Sequence, residues 1–242
     1  MQSSVPILTE RPDERVDRVL TERLLVRHTP LRLISPLLWV VLALAYRGLA
    51  PWWMIAGPAA LHITAILSLL WLAHAWRRDP NARSIESWRR LYILYTGLTG
   101  LAYGGGGLLL FSLPYAEPRM LVAAAQAVTA ALAPGRIYEP RSYTLFAGLD
   151  MTLLALAGFL FGEQLGIAIG IGALVYLMAL LMQNSAHARS QREQVALTLA
   201  NEDLARLHAA AEATARAARD TLDDALESLP VAIAIWDADD KL

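Results

Sequence analysis

Apolar residues fall into six long runs separated by short polar stretches. The runs are Leu33–Tyr46, Trp52–Trp76, Leu91–Phe111, Arg119–Leu132, Tyr143–Phe161 and Leu165–Met182. A membrane span needs about 20 apolar residues, with a range of about 17–25. The second, third, fifth and sixth runs meet that length. The first is short but extends through Gly48 and Leu49. The fourth is bracketed by Pro118 and Pro134, and the roughly 15 residues between them reach only about 23 Å as helix. Its ends must leave helical geometry, or the bilayer must thin there. The pattern predicts an all-α membrane protein with a six-transmembrane-helix bundle over residues 33–184.

Residues 1–32 are polar and contain no signal-peptide pattern. Pro12 and Asp13 can begin a helix, and Val16, Val19, Leu20 and Leu24 recur at helical spacing among charged residues. This reads as an amphipathic helix on the cytoplasmic membrane surface, or as a short solvated helix. After Met182 the chain turns polar, yet no proline occurs between Pro140 and Pro230 and no glycine after Gly172. The sixth helix is therefore expected to run on through residues 185–228. Leu197, Ala200, Leu204, Leu207, Ala211, Thr214 and Ala218 alternate in steps of three and four, a seam suited to a parallel coiled coil. Leu222, Leu226 and Leu229 continue one position out of phase, as at a stutter. A lone alanine-rich helix is the alternative. In residues 229–242, Pro230 stops the helix, Val231–Trp236 reads as a strand, and Asp237, Ala238, Asp239 and Asp240 read as a turn. A strand opening a hairpin cannot fold alone, so the chain is expected to stop at the start of a further domain.

Charge orients the bundle. Arg77, Arg78, Arg83, Arg89 and Arg90 lie between the second and third runs, and Arg136 and Arg141 between the fourth and fifth. Arg189 and Arg192 follow the sixth, and Arg23, Arg27 and Arg32 precede the first. The opposite loops hold only Arg47 and Arg119. The positive-inside rule places both termini in the cytoplasm. That orientation requires the weak fourth run to span.

Composition narrows the chemistry. Of 242 residues, 56% are hydrophobic and 18% charged, against about 45–50% and about 25% in soluble domains. Net charge is −1, so no broad basic field invites nucleic acid. Cysteine is absent, which excludes thiolate nucleophiles, disulfides and cysteine-ligated metals. The one lysine, Lys241, lies outside every run, which excludes a retinal Schiff base.

The stretch Leu229, Pro230, Ile233, Ile235, Trp236, Asp237, Ala238, Asp239 and Asp240 resembles the opening of a PAS domain. The membrane part resembles the six-helix input domains of bacterial sensor histidine kinases and GGDEF diguanylate cyclases. There an inner Trp-Arg-Arg often leads into a glycine-bearing helix; Trp88, Arg89, Arg90, Gly97, Gly100 and Gly104 fit that order. The family often has a Trp-Gly pair where this chain has Tyr103 followed by Gly104–Gly107. The resemblance implies a membrane input, a signalling helix, a PAS relay, and a catalytic output beyond this chain.

Within the runs, three features carry candidate chemistry. Gly104, Gly105, Gly106 and Gly107 interrupt a membrane helix, and Gly100/Gly104 and Gly166/Gly170 form GxxxG spacings. They suit close helix packing or a broken helix lining a ligand cavity. Asp150 is the one acidic residue well inside a run, and an intramembrane charge is a functional candidate by default. Gln126, Thr99, Ser68 and Tyr176 come out at similar depth and could form one polar layer with it. His62 falls near the midplane, level with Tyr103, either as a hydrogen-bonded core histidine or as a ligand. His187 and His208 lack the following acidic residue of a phosphoacceptor histidine. No phosphate-binding loop, HExxH or catalytic triad is present.

These features lead us to expect the sensory and dimerisation module of a receptor in the bacterial inner membrane, with the seam Leu197, Leu204, Leu207, Ala211 and Ala218 joining two copies. This chain would not itself be an enzyme. A histidine kinase is the expected output, with a response regulator as partner in that case. A diguanylate cyclase or phosphodiesterase is the alternative. A small transporter or channel subunit, or a membrane enzyme using Asp150 and His62, is the rival class. No cofactor is required by these residues; membrane lipid or a small hydrophobic ligand would suit the bundle.

Overall fold

The computed structural model describes residues 12–27, 33–133 and 138–228. Every regular element among them is a helix. They are α1 (Pro12–Glu22), a π-helical turn (Arg23–Arg27), α2 (Leu37–Ala45), α3 (Trp53–Arg78), α4 (Ile85–Phe111), α5 (Ala116–Leu132), α6 (Pro140–Phe161) and α7 (Gln164–Ser228). Four of them, α3, α4, α6 and α7, are long and apolar enough to cross a membrane. The chain is thus a membrane-embedded protein. Helix α2, at nine residues, and α5, at seventeen, are the short ones. The predicted terminal strand and turn, with Leu229 and Pro230, lie outside the described residues.

The helix boundaries have local causes. Ser84 caps α4 by accepting a hydrogen bond from the Ser87 amide at 3.2 Å. Pro140 opens α6 at its first position, where its missing amide costs nothing, and the Glu139 side chain accepts from the Arg141 amide. The first apolar run breaks at Ser35 and Pro36, because proline cannot sit inside a helix without losing a hydrogen bond. Helix α2 restarts with the Trp39 amide on the Pro36 carbonyl at 3.0 Å. Gly48, at φ +77°, then reverses the chain between α2 and α3, a left-handed conformation that favours glycine.

Helices α4 and α6 form the most extensive pairing, and α3 lies along the other side of α4. Helix α5 packs on both α4 and α6, and α2 on α3 and α5. The glycine run explains how closely α4 and α6 approach. A Cβ at Gly100 would stand 2.6 Å from the Phe146 carbonyl oxygen, and one at Gly104 would stand 2.7 Å from that of Leu149. Gly106 makes room for the Trp39 indole, which a Cβ there would approach to 2.5 Å, and Gly107 for the Gln126 carboxamide. Gly105 faces open space. Gly158, Gly166 and Gly170 bring α6 and α7 equally close, with a Cβ at Gly170 2.9 Å from the Ala155 carbonyl. Such small residues let backbones touch where no hydrophobic effect drives helices together.

The apolar stripe of the N-terminal helix is covered by protein rather than solvent. Val16, Leu20, Leu24 and Leu25 are all buried. Leu24 and Leu25 join a second core with Leu69, Leu72, Trp76, Trp88 and Tyr92, so the apolar stripe docks on the arginine-rich end of α3 and α4. The last part of the chain, residues 197–242, separates as its own unit. Its described portion is the exposed polar end of α7, laced by the helical pair Arg216–Glu212 at 3.1 Å.

Gly100→Ala or Gly104→Ala should therefore force α4 and α6 apart and cost about 1–3 kcal/mol. Gly105→Ala should be neutral or stabilise by up to about 1 kcal/mol, because nothing opposes its methyl group. Thermal unfolding of the three purified variants side by side tests this ordering.

Candidate functional site

Where α2, α3 and α4 meet, an aromatic and imidazole cluster surrounds the broken first run. His62 of α3 is fully buried. Its Nδ1 accepts from the Trp39 indole Nε1 at 2.9 Å. Indole nitrogen can only donate, so Nδ1 is the bare nitrogen of the imidazole. In the neutral ring the proton then sits on Nε2, which faces the Ser35 hydroxyl at 3.3 Å. The Tyr103 ring stacks on Trp39 at 5.5 Å and 9° and lies 4.6 Å from the His62 ring. Its hydroxyl donates to the Ser35 carbonyl at 3.2 Å, a carbonyl next to the proline break. This is how irregular backbone is made tolerable within a membrane. His62 is therefore held as a hydrogen-bonded core residue, and Tyr103, expected at the same depth, is beside it.

On the far side of α4, Gln126 of α5 reaches over Gly107 and donates from Nε2 to the Tyr103 carbonyl at 2.7 Å. Asp150 of α6 is fully buried. Gln126 and Thr129 are the polar side chains facing it, yet neither carboxylate oxygen completes a hydrogen bond, and neither does Gln126 Oε1. The broader polar layer is not assembled. Thr99 bonds its own helix at the Tyr95 carbonyl, Ser68 is exposed and bonds Thr64, and Tyr176 donates to the Ala127 carbonyl at 3.3 Å. Sequence reasoning missed Thr129, Trp39 and Ser35. A tryptophan three residues after a Ser-Pro break was the available signal.

Between these two clusters lies a cavity of about 560 Å³. Helix α2 contributes Leu37, Leu38 and Val41, α3 contributes His62, Ile66 and Leu69, and α4 contributes Thr96, Thr99 and Tyr103. Helix α5 contributes Leu121, Ala125, Val128 and Thr129, and α6 contributes Tyr143 and Phe146. Its size and apolar wall with few polar groups match small-molecule sites, which run about 300–1,000 Å³.

A charged collar closes the arginine-rich end. Arg89 of α4 pairs with Glu139 at 2.7 Å and with Asp17 of α1 at 3.4 Å. Asp17 also holds Arg192 of α7 at 2.7 Å, and Asp13 binds the same guanidinium at 3.3 Å. The N-terminal helix thus ties the base of the glycine-bearing helix to α7 where α7 leaves its apolar stretch. Farther along α7, Leu197, Leu204, Leu207, Ala211 and Ala218 are all exposed. Among the described residues no group of three metal-ligating side chains converges.

No family model, curated protein or solved structure matches this chain. Its own residues must therefore carry the functional argument.

Trp39→Phe should leave His62 Nδ1 buried without a donor and cost about 1–3 kcal/mol, while preserving the stack on Tyr103. Nitrogen-15 NMR of the unsubstituted protein should show Nδ1 bare and Nε2 protonated; the opposite tautomer would contradict the cluster. Asp150→Asn keeps the shape of a fully buried side chain faced by Gln126 and Thr129 and removes any need to bury a charge there, so its melting temperature should equal or exceed that of the parent chain at neutral pH. A drop of several degrees would show that the carboxylate itself holds the fold.

Proposed function

We propose that the chain is the membrane sensory and dimerisation module of a signal-transduction receptor. The observation that carries this reading is α7. One helix contributes Gly166 and Gly170 to the close contact with α6, and the same helix bears the exposed seam Leu197, Leu204, Leu207 and Ala211. A helix of this kind can convert a change in bundle packing into a change in a coiled coil. In this reading α2 and α5 complete six spans, both termini are cytoplasmic, and the membrane is the bacterial inner membrane. The arginine pattern supports that orientation.

A stimulus would act on the cavity between α2, α3, α4, α5 and α6. A bound molecule shifts the balance only if it binds two bundle states with different affinity. The two states would differ in how α4 and α6 pack and in how Asp17 divides itself between Arg89 and Arg192. The resemblance of residues 229–242 to a PAS opening supports a relay to a cytoplasmic output, a histidine kinase first and a diguanylate cyclase second. The fully buried Asp150 favours a second reading, a small transporter or channel subunit, in which that carboxylate would be the ion site.

The chain has no cysteine, so Leu204→Cys introduces a unique crosslinking site. Oxidation in membranes should trap a dimer, and adding Asp17→Arg should change the crosslinking rate at least twofold. Monomer alone would refute the dimeric seam, and an unchanged rate would refute transmission from the bundle.

A further inference from the structure

The polar atoms on the cavity wall are already committed in one direction. Thr96 donates its hydroxyl proton to the Tyr92 carbonyl at 2.8 Å, Thr99 to Tyr95 at 3.2 Å, and Thr129 to Gln126 at 2.9 Å. The Tyr103 and Tyr143 hydroxyls donate to the carbonyls of Ser35 and Ala130 at 3.2 and 3.0 Å. The neutral His62 ring turns its one N–H towards Ser35 Oγ. Ser35 and Tyr92 have partners of their own as well. A hydroxyl that has given its proton away retains lone pairs and can still accept. Among the described residues, the hydroxyls of Thr96, Thr99, Tyr103, Thr129 and Tyr143 thus face the cavity as acceptors, their protons already donated to backbone carbonyls.

Charge and access sharpen the requirement. No lining residue carries a charge, so an ionised head group would enter an apolar space without a counter-charge. A ketone or ester carbonyl would have to displace one of these internal hydrogen bonds to gain a donor, whereas a hydroxyl can donate to the same oxygens as they stand. On the open side, Leu37, Val41, Val128 and Leu132 line the cavity and are themselves exposed. They belong to α2 and α5, and in the six-span reading that mouth opens to lipid rather than to water.

We infer that the cavity binds an uncharged apolar molecule whose polar group is a hydroxyl, taken laterally from the bilayer between α2 and α5. The hydroxyl donates to a threonine oxygen, Thr99 or Thr129, while the hydrocarbon body fills the space against Ile66, Ala125 and Phe146. The inference names the ligand class of the sensory reading and rests on that reading for the lipid-facing mouth and for the consequence of binding. Occupancy is measurable without any output.

The test uses four sixteen-carbon probes: 1-hexadecanol, hexadecane, 2-hexadecanone and hexadecanoate. The chain in lipid nanodiscs is photolabelled with a diazirine-bearing hexadecanol, and labelled peptides are mapped. Saturable labelling should fall on residues 33–41 and 121–133. 1-Hexadecanol should compete at least tenfold better than 2-hexadecanone, and hexadecanoate at pH 7.5 should not compete. Thr99→Val with Thr129→Val should reduce the advantage of hexadecanol over hexadecane at least fivefold without lowering labelling by a purely hydrocarbon diazirine. Ala125→Phe should abolish saturable labelling while the melting temperature holds. If that variant unfolds, the threonine pair still decides.

Equal competition by hexadecane and hexadecanol would mean that a plain hydrocarbon chain occupies the site, and would overturn the assignment. So would a ketone or carboxylate that competes best, or labelling that never saturates on α2 and α5. Failure of the binding series with intact Leu204→Cys crosslinking removes the ligand and leaves the signalling helix. Binding with only monomeric Leu204→Cys removes the dimeric receptor and leaves the ligand site.

Discussion

The close contact of α4 with α6 is the constraint on which the other features depend. Gly100 and Gly104 rest on the backbone of Phe146 and Leu149, with no side chain between. That contact brings Phe146 within 6.4 Å of the Tyr103 ring and sinks Asp150 out of reach of solvent. On the next turn, Gly106 and Gly107 make room for Trp39 and Gln126, so α2 and α5 also take their positions from α4. A run of glycine that weakens α4 as an isolated helix makes it the hub of the bundle. The helix loses intrinsic propensity and gains contacts with three neighbours at van der Waals distance.

Two kinds of polar group sit around that hub, and they differ in cost. The His62 cluster is closed: the indole, imidazole, serine and tyrosine groups each find a partner, and the proline break at Ser35 is absorbed by it. In a low-dielectric interior a satisfied network of this kind rigidifies. The Asp150 oxygens and Gln126 Oε1 complete no hydrogen bond, so this side of the hub is less tightly satisfied than the His62 cluster. The cavity lies between the two, with the rigid cluster on one side and Thr129, which faces Asp150, on the other.

The collar at the arginine-rich end has a different character. Asp17, Arg89 and Arg192 are partly exposed, so each pair contributes little to stability, about 0–1 kcal/mol. Their weight is geometric. Asp17 is shared between a guanidinium on α4 and one on α7, and the buried leucines of the π-helical turn fix the helix that carries it. Weak shared contacts of this kind can exchange at low cost.

Much of this was legible in the residues. Run length determined the four long apolar helices, and the absence of proline and glycine between Gly172 and Ser228 determined the extension of α7, because both depend on local composition and on backbone hydrogen bonds that a helix satisfies within itself. The intramembrane Asp150, the glycine spacing and the shared depth of His62 and Tyr103 could be read from rise per residue. Azimuth could not, since an apolar run shows no face when lipid and core are equally greasy. Only the tertiary structure decided that Thr129 and Gln126, rather than Ser68 or Tyr176, face Asp150, and that Trp39 seats His62. The docking of the N-terminal helix onto Trp76 and Trp88 was likewise a tertiary outcome. An amphipathic stripe records that a surface must be buried, and the partner is set by whichever apolar face the rest of the fold leaves uncovered.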